Sequence, residues 1–328
     1  MKLYSKKNIT DTVSAMRKND RFAHSFLLTG EQGVGKKMAA LYMAMSLLCD
    51  DPDENMLPCG KCRQCRRIEK GIHPDVMTMQ PSTEKGNYSV EYIREELIPD
   101  IYVYPNDGEC KIYIIPNAAK LNVQCQNTLL KVIEEPPDHV YFIFTAEDKS
   151  AILPTVLSRV VQLSVTGCSL EECTEALSDM EKYSMEDIER AVSAYGGNIG
   201  KCVDFLEKGE YYDLFVTADN IAKAIIASDR YTILKELSLC SNRDRFRAVL
   251  SMTDKNIRDC AVMRICGDNA VLTGCSHGAA KAMIPRLSFE KAQRVHEKLV
   301  KCIEMCGSNM NMNLAALSCS AADALSRI

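Results

Sequence analysis

Residues 24–49 read HSFLLTGEQGVGKKMAALYMAMSLLC, and this stretch decides the fold of the N-terminal half. The apolar run His24–Thr29 has the character of a strand, GEQGVGKK (30–37) of a glycine loop, and Met38–Cys49 of a helix. Gly30, Gly33 and Gly35 let the backbone turn tightly, so that its N–H groups face a phosphate near the positive end of the helix, while Lys36 can reach the outer phosphates. This is the arrangement of a P-loop. A purely structural strand-to-helix turn would use the same glycines. The position after Lys36 should carry a hydroxyl to ligate magnesium, and it is Lys37.

Outward from the loop, Lys111–Ile115 is a continuous β-branched and aromatic run of the kind found in parallel sheets buried on both faces. In a P-loop ATPase such a strand ends in carboxylates, one for magnesium and one for the attacking water. Here it continues Pro116, Asn117, Ala118, Ala119. Glu134 and Glu135 are the alternative source of acid, but they close a helix ahead of Pro136 and Pro137. The residues therefore predict no ATP hydrolysis by this chain. They leave open whether nucleotide still binds.

Residues 126–160, QNTLLKVIEEPPDHVYFIFTAEDKSAILPTVLSRV, predict an amphipathic helix over Asn127–Glu135 with Leu130 and Ile133 toward the sheet, then a buried strand, YFIFTA (141–146). Together with the P-loop, this segment resembles the clamp-loader branch of the AAA+ family, and within it the delta-prime type of bacterial DNA polymerase III. The likeness lies in a helix ending Glu-Glu-Pro-Pro, a strand with Thr145 at the sensor-1 position, and the element Ser158-Arg159, where Val160 replaces the usual cysteine. The resemblance implies that Arg159 acts in trans as an arginine finger on ATP held by a neighbouring subunit. An ordinary strand-end threonine and a surface arginine are the plain readings of the same two residues.

Cys49, Cys59, Cys62 and Cys65 follow the spacing C-x9-C-x2-C-x2-C. Four thiolates so spaced make a closed tetrahedral zinc site with a structural role, an insertion that clamp-loader subunits share. Free cysteines, or zinc with His73 as a substitute ligand, are the competing readings.

The chain has 328 residues, 46% apolar and 26% charged, which suits two or three globular domains. Its net charge of −4 gives no general attraction to nucleic acid, so any DNA contact is expected to be local or shared with partners. No apolar run reaches membrane length, and MKLYSKKNIT lacks a signal-peptide core, so the expected compartment is the cytoplasm, where the 16 cysteines stay reduced. The resemblance implies an α/β AAA+ parallel-sheet domain over 1–166, a small helical lid over 167–210 and an all-α collar over 211–328. The lid would carry Gly200, with Lys201 beside it, where active relatives place a sensor-2 arginine. The ending SNMNMNLAALSCSAADALSRI (308–328) would form the final collar helix. Implied partners are the gamma/tau and delta subunits, and, through the complex, the sliding clamp and primed DNA. Competing identities are a gamma/tau-type motor, a free-standing P-loop kinase and a zinc-dependent DNA-binding module.

Overall fold

Strand β1 (Ser25–Thr29) lies at the centre of the N-terminal fold, preceded by helix α1 (Lys7–Lys18) and followed through the glycine loop by α2 (Lys36–Leu48). The computed structural model describes residues 3, 4, 6–83, 86–267, 270, 272, 274, 280, 281 and 283–306. After α2 come α3 (Arg63–Glu69), β2 (Val76–Thr78) and a helix that opens as α4 (Val90–Tyr92), widens into a π-helical turn (Ile93–Leu97) and closes as α5 (Ile98–Ile101). Then follow β3 (Lys111–Ile115), α6 (Val123–Glu134), β4 (Val140–Ala146), α7 (Pro154–Leu157) and β5 (Val161–Ser164).

The five strands pair in parallel in the order β2-β3-β4-β1-β5. Side chains alternate across a strand, and here both faces are covered. Phe26 and Leu28 pack with α1, α2 and α3, together with Ile112, Ile114 and Ile143, whereas Leu27, Tyr113, Ile115, Phe142 and Phe144 face the layer built from α4, α5 and α6. All five residues of β3 are buried: Ile112–Ile115 form an apolar run, and Lys111 is accommodated by an ion pair with Asp100 at 2.8 Å.

The structure corrects the expected helix over 127–135. It begins earlier, at Val123, because the Asn122 side chain caps it by accepting from Cys125 N at 2.8 Å. Leu129, Val132 and Ile133 form its buried face, and Leu130 packs only partly against it.

The chain divides into two units, 1–168 and 169–328. The second is helical throughout its described residues: α8 (Leu170–Ser178), α9 (Met185–Tyr195), α10 (Ile199–Leu206), α11 (Glu210–Ala227), α12 (Arg230–Ser238), α13 (Arg243–Cys266) and α14 (Phe289–Met305). Capping side chains punctuate these helices. Ser169 forms a capping box with Glu172, and Ser184, Asn198, Asp229, Asn242 and Ser288 each accept from the first turn they precede. Helices α11 to α14 share one apolar core that includes Leu214, Ile221, Phe246, Val249 and Val295. The helix expected at 308–328 lies outside the described residues.

Candidate functional site

The glycine loop is clamped between strands. Gly30 N donates to the carbonyls of Ala146 (3.2 Å) and Glu147 (3.1 Å), and a Cβ on Gly30 would lie 2.1 Å from the Val165 carbonyl oxygen. Gly33 and Gly35 adopt φ of 87° and 93°, with Gly35 at the start of α2. Lys36 opens that helix, and its ammonium donates to the carbonyls of Gly30 (2.5 Å) and Glu31 (2.7 Å), folding back over the loop. Lys37, where a magnesium-ligating hydroxyl was expected, lines a cleft of about 350 Å³ with Leu41, Ile68, Lys70, His73 and Thr78.

Beyond β3 the chain turns at Asn117 with φ of 47°. The Asn117 N–H donates to Thr145 Oγ1 at 3.0 Å, and the Tyr88 hydroxyl donates to the Pro116 carbonyl at 2.6 Å. The residues that follow β3, 116–119, are Pro, Asn, Ala and Ala, so the strand itself leads into no carboxylate. Thr145 is buried at the end of β4, beside the loop. Its hydroxyl oxygen accepts one bond there, which leaves its proton and a second lone pair to offer a ligand.

Arg159 sits between α7 and β5. Its Nη1 donates to the Thr155 carbonyl (2.8 Å) and to Ser158 Oγ (3.1 Å), and its Nη2 pairs with Glu134 Oε1 at the end of α6. Glu134 is thus committed to a cation on the neighbouring element. Ser158 Oγ also donates to the Thr155 carbonyl at 3.1 Å.

The four cysteines come together. Their sulfurs all lie within 4.8 Å of one another, with Cys49 Sγ 3.6 Å from Cys59 Sγ and 3.9 Å from Cys62 Sγ. A tetrahedron with metal–sulfur bonds of about 2.3 Å places sulfurs about 3.8 Å apart, so the group fits a metal ion of that kind. Main-chain N–H groups of Cys59, Cys62 and Cys65 point at the sulfurs of Cys49, Cys59 and Cys62, at 3.3, 3.3 and 3.4 Å. Burial opposes ionisation of Cys59, yet the N–H groups of Lys61 and Cys62 and the neighbouring thiols outweigh it and lower it to about 7. Burial pushes the Cys65 thiol up. His73 is turned to other work. Its Nδ1 accepts from Asp75 N (3.1 Å), so Nε2 is the donor to Gln64 Oε1 (2.9 Å), and no nitrogen is left for a metal.

Residues 5–168, half of the chain, match the family described as DNA polymerase III, delta subunit. The chain belongs to that family. Membership in the delta subunit family bears out the resemblance to clamp-loader subunits of the AAA+ class drawn from the P-loop and the Ser-Arg element. Among relatives, the chain is 34% identical to DNA polymerase III subunit gamma of Buchnera aphidicola, over 55% of this chain and 48% of that protein. It is 32% identical to subunit delta' of Pseudomonas aeruginosa, over 51% of each, and 29% identical to subunit delta' of Bacillus subtilis, over 58% of this chain and 56% of that one. The chain therefore spans about half the length of the curated relatives it matches.

Within the family's matched region, the structure adds residues that the sequence reading passed over. Gln126 is buried and bridges α6 to the segment before α7: its amide donates to the carbonyls of Leu121 (3.0 Å) and Ala151 (2.9 Å) and accepts from Leu153 N (2.8 Å). Lys6 is buried beside the loop, its ammonium bonded to the Thr166 carbonyl. Glu147 and Asp148 are exposed just beyond β4, and Asp148 accepts from Ser150 N at 2.6 Å. Only Gln126 carried a local signal, a polar residue on the apolar face of a helix. In the second unit, the Lys201 ammonium lies 5.5 Å over the Tyr211 ring, and Gly200 occupies the first turn of α10. Among the described residues, no helix is long and apolar enough to cross a membrane.

Proposed function

We propose that this chain is the delta-prime-type subunit of a DNA polymerase III clamp loader: a subunit that does not hydrolyse ATP, supports the assembly and serves a neighbour's ATP site. The observation that carries this reading is the end of β3, where Pro116 and Asn117 replace two carboxylates and the Asn117 amide is clipped to Thr145. Metal-assisted phosphoryl transfer needs oxygen ligands beside the phosphates, and neither this strand nor Lys37 supplies one. Gly30, Gly33, Gly35 and Lys36 then form a degenerate P-loop with Thr145 as the sensor-1 remnant.

In this reading Arg159 reaches a phosphate held by the adjacent subunit, with Ser158 beside it. Cys49, Cys59, Cys62 and Cys65 hold one structural zinc, which stiffens the connection between α2 and β2. Residues 167–210 serve as the lid and 211–328 as the collar that joins the other subunits. The partners are gamma/tau-type and delta-type subunits, and through them the sliding clamp and primed DNA in the cytoplasm.

A gamma/tau-type motor is the second reading, favoured by the 34% identity to a gamma subunit. Reconstitution separates the two. Mixed with the other loader subunits and the clamp, this chain should be required for assembly and clamp loading, yet show no hydrolysis alone. Steady magnesium-dependent turnover by the isolated chain would establish the motor instead.

A further inference from the structure

The ion pair between Glu134 and Arg159 joins the end of α6 to the turn between α7 and β5. Both side chains are well exposed, 44% for Glu134 and 37% for Arg159, so the pair adds little to folding stability. Its effect is geometric. A lone surface arginine samples many rotamers, whereas this guanidinium is held by three acceptors: the Glu134 carboxylate, the Thr155 carbonyl and Ser158 Oγ. The supports are themselves fixed, because buried Gln126 ties α6 to residues 151 and 153 just ahead of α7.

A guanidinium has five N–H donors. Nη1 uses both of its own and Nη2 uses one, so Nε–H and the second Nη2–H have no partner among the described residues. Two donors are what a bidentate contact to a phosphate oxyanion takes.

We infer that Glu134 is a positioning residue, which holds the Arg159 guanidinium in advance so that its two remaining donors meet a phosphate on the adjacent subunit. This rests on the arginine-finger reading above. Orientation set before binding favours the chemical step over substrate affinity. Loss of Glu134 should therefore lower kcat and leave the KM for ATP nearly unchanged.

The test is ATP hydrolysis by the loader reconstituted with clamp and primed DNA, with assembly checked by gel filtration, for Glu134→Ala, Glu134→Gln, Arg159→Ala and the double variant. Glu134→Ala should reduce kcat roughly three- to tenfold, with KM shifted less than about twofold. Glu134→Gln, whose amide oxygen still accepts from Nη2, should retain at least about half of wild-type kcat. The double variant should be no slower than Arg159→Ala, because Glu134 acts only through that side chain. If Arg159→Ala impairs hydrolysis while Glu134→Ala matches wild type, the positioning role is wrong and the finger stands. Faster turnover by Glu134→Ala would show that the carboxylate restrains the arginine, and likewise overturns the inference. If Arg159→Ala itself matches wild type, the finger reading fails first.

Discussion

The main-chain N–H of Asn117 donates to the hydroxyl of Thr145 at 3.0 Å, which joins the C-terminal ends of β3 and β4 beside the glycine loop. In an open parallel sheet ligands are met at these ends. Here one of the ends is closed by a left-handed Asn117 and a buried hydroxyl, and the chain turns away through Ala118–Lys120.

The isolated chain should accordingly release no phosphate from ATP with magnesium present. Restoring one ligand, by Lys37→Thr, should not rescue it, because the carboxylates beyond β3 are still missing. Steady-state phosphate release checks both proteins. Turnover near one per second, abolished by Lys36→Ala, would contradict this account, since uncatalysed hydrolysis is far slower.

Gly30 should be structural whether or not nucleotide binds. A Cβ there would meet the Val165 carbonyl oxygen at 2.1 Å, and the Gly30 N–H is held by the Ala146 and Glu147 carbonyls, which leaves the loop little room to yield. Gly30→Ala is expected to cost about 3 kcal/mol or more. Gly71, with φ of 68° and open space around it, is the control, at about 1 kcal/mol for alanine. Urea unfolding of the two variants makes the comparison.

One zinc per chain is expected after preparation without added metal. Cys62→Ala should lose it, because the thiolate it removes is one of four that close the tetrahedron. Chelation should lower the thermal midpoint of the wild type and leave the variant's unchanged. Elemental analysis with differential scanning fluorimetry decides this. Full zinc content in Cys62→Ala would place the metal elsewhere.

Asp75 predicts an acid-sensitive joint near the metal-binding segment. Its carboxylate is almost wholly buried and accepts from the N–H groups of Asn106 (2.6 Å), Asp107 (2.8 Å) and Gly108 (2.8 Å), and from the Asn106 side-chain amide (3.2 Å). Burial opposes its charge, but these donors outweigh burial and hold it below the ordinary carboxylate range. A depressed folded-state pKa gives stability that is complete above the unfolded value, near 3.9, and is lost as pH falls through the folded one. Asp75→Asn should therefore cost about 2–3 kcal/mol at pH 7, with the gap to wild type closing below about pH 4. Chemical denaturation across pH measures the gap, and one that is constant with pH would rule out the charge as its source.

Much of the site was legible because its chemistry is local in the chain. GEQGVGKK announces strand, loop and helix within 14 residues of β1 and the first turns of α2, and the missing hydroxyl and carboxylates are read at fixed offsets from them. The four cysteines lie within one 17-residue span, so their spacing alone predicts their meeting. Helix limits were less legible: the mixed start Val123–Gln126, which alternates apolar and polar residues, hid the fact that Asn122 is the cap, and Leu130 looked as apolar as Leu129 until packing chose between them.

The sequence by itself determined the class of the N-terminal fold, the glycine loop between β1 and α2, the lack of a hydroxyl at Lys37 and of carboxylates directly after β3, and the cysteine cluster, since each depends on residue type at short, fixed separation. Only the tertiary structure decided that Glu134 pairs with Arg159, 25 positions away, that Thr145 accepts from Asn117, and that His73 spends both nitrogens on Asp75 and Gln64. Those pairings follow from which side chains face one another once α6, α7 and the strands pack on a common core. That packing is a collective property of many buried residues, and no single motif encodes it.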